Sequence, residues 1–378
     1  MPAIVTKPAR IFHKTAETFQ DGAKTLPQRY FVSSAVFAEE QEKVFSRQWA
    51  LVGHQSQLAK SGNYFTAEVA GESLIIVRDK RGEIHGFYNV CRHRGSRLIE
   101  NRNGQLSAAI QCPYHAWTYG LDGRLLGAPH MDDVPGFNKA DYSLRPVNVA
   151  VWEGFIYVNL ADSRPSPEKW FAPLAGKFAR WNLPSLHSAR RIEYDVRANW
   201  KLIFQNYSEC YHCLGVHPEL SKISPHDSAE NDLTEGPFLG GFMRLASDKS
   251  LTMSGHTCAL PVGDFGDEDF RFVFYYSIFP NMLLSLHPDY VMVHQLEAQS
   301  PERTLILCDW FFHPDAFNRE GFKPDDAIEF WDMVNRQDWH VCELSQQGIA
   351  SRGYEPGPYS ARESMPAAWD REYLRHIN

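Results

Sequence analysis

Two short stretches decide the fold: CRHRGSRL (Cys91–Leu98) and CPYHAWTYGLDG (Cys112–Gly123). Each brings one cysteine and one histidine, Cys91 with His93 and Cys112 with His115, and 18 residues separate His93 from Cys112. The surrounding text is short β-rich runs broken by turn dipeptides: SLIIV (Ser73–Val77), EIHGFYNV, YGLDGRLL with Asp122-Gly123 at its bend, and VNVAVWEGFIYVNL. That texture predicts a small all-β unit from about Gly62 to Leu160, with each Cys/His pair on a turn beside a strand.

Thiolates and imidazoles together suit tetrahedral zinc or an iron–sulfur centre. Zinc fingers usually give each half one ligand type, whereas here every half is mixed. Mixed halves let two thiolates hold one iron and two imidazoles the other, the Rieske form of a [2Fe–2S] cluster. A zinc ribbon, or four unrelated residues, is the competing reading. Gly95 and Pro113 would let the backbone approach the sulfides closely.

Working outward, the texture changes near residue 165, where DSRPSPEKWFAPLAG (Asp162–Gly176) has the Pro and Ser content of a linker. A helix is predicted from Asn199 to about Leu214, then a Gly/Pro-rich segment from Pro218 to Asp269. The strands RFVFYYSIF, DYVMVHQLEAQ and RTLILCDWFFH follow, and a last helix from Pro324 to about Gln347. Strands bracketed by long helices predict an antiparallel sheet with helices on one face, so the fold class is α+β. The domains are expected as an N-terminal segment (1–44) packing on the catalytic part, a cluster domain (45–162) and a catalytic domain (163–378).

In NWKLIFQNYSECYHCLGVHPEL the stripe Ile203, Tyr207, Cys210, Leu214 predicts the core face, leaving Gln205, Glu209 and His212 opposite. Glu209 and His212 are i,i+3 neighbours, and His217 follows five residues later. A lone E-x-x-H reads as a solvated face. In the last helix, however, Asp338 interrupts the apolar stripe Ile328, Trp331, Val334, Val341, Ser345, where an ionised carboxylate needs a charge partner or a cation. His212, His217 and Asp338 together match the two-His-one-carboxylate triad of non-heme Fe(II) oxygenases.

Over Phe45 to Tyr373 the sequence resembles the α subunit of Rieske non-heme iron oxygenases. The resemblance implies a Rieske domain joined to a helix-grip catalytic domain, assembled as a homotrimer. It places the cluster of one subunit near the iron of its neighbour, with a carboxylate bridging the cluster ligand His115 to His212. Glu209 stands at the bridge position. Ring-hydroxylating dioxygenases carry Asp there and one more residue back to Asn206; the Glu of ECYHC, and SRGYEPGPYSARES, are similar to the branch that oxidises quaternary ammonium compounds.

The resemblance therefore implies oxidation of an N-methyl group of a small betaine-type substrate by O2, releasing formaldehyde, with aromatic-ring hydroxylation as the alternative. A third reading is a scaffold in which both clusters are structural zinc. Aromatic faces suit a methylammonium cation, and Tyr207, Tyr275, Tyr276, Phe279 and Tyr290 are the candidates, each equally readable as core. The sequence carries no G-x-G-x-x-G or flavin motif, so electrons imply a separate NAD(P)H-dependent flavin/iron–sulfur reductase.

Composition narrows the partners. The chain has 378 residues, 13% of them aromatic, and a net charge of −8, which disfavours nucleic acid. The longest stretch without Asp, Glu, Lys or Arg in the aromatic C-terminal half, Phe272–Pro288, is broken by Ser277, Pro280, Asn281 and Ser285 and is too short to span a membrane. The first twenty residues hold no apolar core of signal-peptide length, and 7 cysteines in a long chain do not suggest a disulfide scaffold, so a reducing cytoplasm is expected. Cys210, Cys213, Cys258, Cys308 and Cys342 are expected as buried thiols. His54, His85, His226, His287, His294 and His340 carry no decisive pattern. VGDFGDEDF (Val262–Phe270) reads as a solvated loop or a lid.

Overall fold

The computed structural model describes residues 11–246 and 250–378; the first half of the leading twenty-residue stretch, and 247–249 of the Gly/Pro-rich segment, lie outside them. The chain forms two compact units, Ala38–His187 and the chain up to Phe37 together with Ser188–Asn378.

The first unit is β throughout its core. A seven-stranded sheet has the order Ala50–His54, Phe155–Asn159, Pro146–Trp152, Ile84–Tyr88, Glu72–Arg78, Asn63–Val69, Asn103–Gln105. A three-stranded sheet, Ala109–Gln111, Thr118–Gly120 and Leu125–Gly127, stands beside it. The expected hairpin forms at Leu121–Arg124, with Gly123 at φ +82°. Leu74, Ile76, Val52 and Val158 fill one core, while Ile75, Val77, Trp117 and Tyr119 fill another. Successive residues of one strand, Ile75 and Ile76, thus serve opposite faces, which explains the unbroken apolar run SLIIV.

The second unit is an eight-stranded sheet in the order His13–Lys14, Glu230–Leu233, Phe238–Arg244, Phe272–Ile278, Met282–Leu286, Val291–Ser300, Arg303–Phe312, His187–Val196. The three long strands expected from Arg271 onward form, with Met282–Leu286, not expected, inserted between the first two, and all the pairings are antiparallel. Two strands inside the Gly/Pro-rich segment went unread because FLGGFMR carries two glycines. Both glycines are forced by close strand approach: a Cβ on Gly240, at φ +139°, would lie 2.0 Å from Tyr275 O, and one on Gly241 2.0 Å from Glu230 O.

The helix Asp325–Ile349 crosses this sheet, with Trp331 against Tyr275 (6.4 Å between ring centroids) and Trp339 against His294 (5.8 Å). Its buried stripe runs Ile328, Trp331, Val334, then Cys342, Gln346 and Ile349. The expected continuation through Val341 and Ser345 is corrected: steps of 3.6 residues carry the face to Cys342 and Gln346, leaving Ser345 exposed. The N-terminal arm is stitched to the chain beyond this helix by Thr25 N donating to Gly357 O (3.0 Å) and Tyr359 N to Ala23 O (3.0 Å). Among the described residues no helix is long and apolar enough to cross a membrane.

Candidate active site

The two Cys/His loops fold alike. In each, the cysteine N–H donates to the carbonyl five residues on, Cys91 to Ser96 and Cys112 to Trp117, both at 2.8 Å. The cysteine carbonyl accepts from the residue four on, Gly95 (3.0 Å) and Ala116 (3.2 Å), and both of these are left-handed, at φ +75° and +55°. Gly95 takes that conformation without a steric penalty, whereas Ala116 is held in it by the loop. The result buries Cys91 and Cys112 and leaves His93 and His115 at the surface.

Tyr119 hydroxyl lies 3.2 Å from Cys91 Sγ and accepts from Arg92 N at 3.1 Å. His93 stacks on Trp117 (4.8 Å, 3°), Tyr114 on His115 (3.8 Å), and the imidazole centroids are 4.9 Å apart. Among the described residues, the sets of three or more metal-binding side chains with donor atoms within 4.8 Å of one another are His212/His217/Asp338 and Asp79/Glu83/His85. The four loop residues do not converge on one point as a single tetrahedral zinc requires, but their thiolate-inside, imidazole-outside arrangement fits a two-iron cluster.

The second constellation is built by a helix that stops early. Asn199 caps Trp200–Tyr207, its side chain accepting from Lys201 N (3.1 Å) and donating to Phe31 O (3.2 Å) and Pro301 O (2.7 Å). The helix expected to continue to Leu214 ends at Tyr207, where Ser208 Oγ turns back onto Phe204 O at 2.6 Å. Glu209 then caps the next turn with its carboxylate, accepting from Tyr211 N and from His212 N at 3.2 Å. Leu214, expected in the core, is 65% exposed, and Tyr207 faces a cavity. Cys210 and Cys213, expected as thiols, form a disulfide; Cys308 and Cys342 are buried thiols, and Cys258 is partly exposed.

Pro218 ends the following turn and opens the helix Pro218–Ile223, which holds His217 in a non-helical conformation (φ −122°, ψ 70°). There its Nε2 lies 2.8 Å from Asp338 Oδ1, while His212 Nε2 lies 3.2 Å from the same oxygen. Both outer nitrogens are fixed as well: His212 Nδ1 is 2.6 Å from Glu209 Oε1, and His217 Nδ1 is 2.7 Å from Gln337 Oε1. Ligand histidines are typically oriented in this way, by an acceptor on the far nitrogen. Burial lowers the His212 pKa, but hydrogen bonds to Asp338 and Glu209 outweigh it and push it up to about 10. Burial raises Asp338, yet the two imidazoles bring it below its ordinary value. Two imidazoles and one carboxylate on a common point match the donor set of a divalent iron, whose binding would displace the protons from Nε2.

This triad lies in the wall of a cavity of about 300 Å³ that also presents Tyr207, Tyr275, Trp331 and Trp339. Three of the expected aromatic residues lie elsewhere. Tyr276, next to Tyr275 on a strand, points to the opposite face and donates to Asp232 at 3.1 Å. Phe279 packs against Trp200, Trp369 and His376, and Tyr290 donates to Leu251 O (2.7 Å) while accepting from Trp331 Nε1 (2.7 Å). His294, read as patternless, does line the cavity; its signal was its place two residues from Met292 on one strand face, legible only once the strand was set.

Residues 48–138 match the Rieske [2Fe-2S] domain and residues 183–378 the ring hydroxylating alpha subunit (catalytic domain). The chain is 32% identical to the glycine betaine monooxygenase oxygenase subunit of Chromohalobacter salexigens, covering 90% of this chain and 83% of that protein. It is 32% identical to the carnitine monooxygenase oxygenase subunit of Escherichia coli K12 over 88% and 86%. A quaternary ammonium Rieske monooxygenase solved in a study of carnitine oxidation by gut microbiota superposes with a TM-score of 0.83 at 28% identity, over 96% and 97% of the two chains. Naphthalene 1,2-dioxygenase from Rhodococcus sp. shares the fold, with a TM-score of 0.77 at 20% identity over 93% and 94%.

Proposed function

The chain belongs to the Rieske-type oxygenases with a ring-hydroxylating alpha-subunit catalytic domain, and from that premise we propose that it hydroxylates an N-methyl group of a small quaternary ammonium, betaine-type substrate. The carrying observation is that one cavity holds both the His212/His217/Asp338 triad and the aromatic faces of Tyr207, Tyr275, Trp331 and Trp339. Aromatic faces attract a desolvated methylammonium. The names of the relatives at 32% identity support the same class.

In this reading Cys91, His93, Cys112 and His115 hold the [2Fe–2S] cluster, and His212, His217 and Asp338 hold Fe(II). When bound, these groups supply electron storage and activation of dioxygen. The protein does the rest by position. Glu209 and Gln337 hold the two imidazoles by Nδ1, so each Nε2 points at the shared site. The aromatic wall excludes water and presents the methyl group. One methyl C–H becomes C–OH, the second oxygen atom leaves as water, and two electrons and two protons are consumed. The hemiaminal then collapses to formaldehyde and the demethylated amine.

The electrons enter from a separate NAD(P)H-dependent flavin/iron–sulfur reductase. In a homotrimer, Glu209 would join His212 to His115 of the next subunit. A cytoplasmic setting fits this dependence on a soluble reductase. Incubation with a reductase, NADH and a panel of betaines tests the function: formaldehyde is the expected product, and dihydroxylated arenes from aromatic substrates instead would show ring hydroxylation. Colourless, zinc-loaded protein would overturn both.

A further inference from the structure

His294 is 1% exposed and stands in the cavity wall on the strand Val291–Ser300, yet its Nδ1 has no hydrogen-bond partner. Its other nitrogen is committed: Nε2 lies 3.2 Å from Asn335 Oδ1. A relay fixes the direction of that bond. Tyr194 hydroxyl donates to Asp332 Oδ1 at 2.7 Å, so its oxygen accepts from Asn335 Nδ2 at 3.4 Å, which leaves Asn335 Oδ1 as the acceptor toward His294. His294 therefore carries its proton on Nε2, and Nδ1 is a bare lone pair. Burial keeps the ring neutral, bringing its pKa down to about 4.

A buried lone pair repels a carboxylate and attracts polarised C–H groups of a methylammonium or a hydroxyl donor. The Lys and Arg side chains of the same cavity wall are Lys14 and Arg362, and both are exposed. The same wall carries carboxylates, Glu209 and Asp338 at the triad and an exposed Asp227, so the exposed residues Lys14, Arg362 and Asp227 sum to one positive charge, while the buried end offers an acceptor at His294. Asn335 also sits one helical turn before Asp338, which sets this buried end beside the triad.

Resting on the demethylation reading above, we propose that His294 is the specificity residue of the cavity, taking the methylammonium head of a zwitterion at Nδ1 while Lys14 and Arg362 face its carboxylate. This orientation presents the methyl group, and not the carboxylate end, to the triad. It also makes recognition of head and tail separable, since different residues read each.

Kinetics of the reconstituted holoenzyme test this with glycine betaine and with choline, a cation lacking the carboxylate, used as substrate or as competing inhibitor. His294→Gln keeps a donor toward Asn335 and moves the acceptor, now its amide oxygen, away from the Nδ1 position, so KM or Ki rises about tenfold for both compounds. His294→Asn restores an oxygen near the Nδ1 position and stays within about threefold of the parent. The double variant Lys14→Gln/Arg362→Gln weakens glycine betaine alone. The proposal is overturned if His294→Gln binds both compounds as the parent does, if His294→Asn is as impaired as His294→Gln, or if the double variant weakens choline equally. Should His294→Gln fail to fold, His294→Leu, which removes both ring nitrogens, takes its place, and binding of both compounds as by the parent overturns the proposal. A parent enzyme that yields no formaldehyde from any methylammonium overturns the demethylation reading itself, and the proposal with it; an active parent with an indifferent His294→Gln overturns the proposal alone.

Discussion

Oε1 of Glu209 stands 2.6 Å from Nδ1 of His212, on the side of the imidazole away from Asp338. The same carboxylate, through its other oxygen, accepts from His212 N and Tyr211 N. Glu209 therefore does two things: it shapes the turn that carries His212, and it accepts at the imidazole nitrogen that faces away from Asp338.

Glu209→Gln separates these two roles. The amide keeps an acceptor for the turn but loses the negative charge beside His212 Nδ1. The expected variant retains its visible absorption and its mononuclear iron, while coupled turnover falls by about 10- to 100-fold, the range seen when an outer partner of a ligand histidine is altered. Single-turnover reoxidation of the reduced cluster measures it. Unchanged rates would remove Glu209 from the proposed path between cluster and iron.

Asp338→Ala should keep the visible absorption and lose mononuclear iron, because Asp338 Oδ1 is the atom both Nε2 groups approach. Iron analysis with absorption spectra distinguishes the two sites. Full iron content with normal turnover would show that the triad is misassigned.

Asp370 predicts a pH signature in stability. Burial pushes its carboxyl up to about 7, against the opposing pull of hydrogen bonds from Gln205 (2.6 Å) and Tyr359 (2.8 Å). The folded chain then binds a proton that the unfolded chain, titrating near 3.8, has released. This contribution is complete below about pH 4 and is lost as pH rises to about 7. Asp370→Asn removes it, so the stability of the parent relative to the variant should decline between pH 5 and about 8. Parallel denaturation midpoints across that range would contradict the assignment.

Asn199→Ala tests the cap that starts the segment carrying His212 and His217. Three side-chain hydrogen bonds end at this buried residue, and its own N–H donates to Gln346 Oε1 at 3.0 Å. Losing a cap and two amide hydrogen bonds, one buried and one part-buried, should cost about 2 to 4 kcal/mol by denaturant unfolding. A loss below about 0.5 kcal/mol would mean that water replaces the side chain.

The sequence by itself determined the candidate donor sets. Cys91, His93, Cys112 and His115 are specified by local spacing on two short loops, and an aspartate in an apolar stripe marks Asp338 whatever the helix packs against. Three of the four strands between Arg271 and His313 were equally legible, since their patterning is local, while Met282–Leu286 between them was not read. Tertiary structure decided where the helix after Asn199 ends, because Ser208, Glu209 and Pro218 compete with an intact helical period through side-chain bonds that propensity does not count. It also decided which aromatic residues meet the cavity: Tyr275 and Tyr276 are neighbours in sequence, and only strand pairing assigns them opposite faces. His294 belongs to this second group, for a histidine becomes informative only when burial and the tautomer imposed by Asn335 leave one nitrogen without a partner.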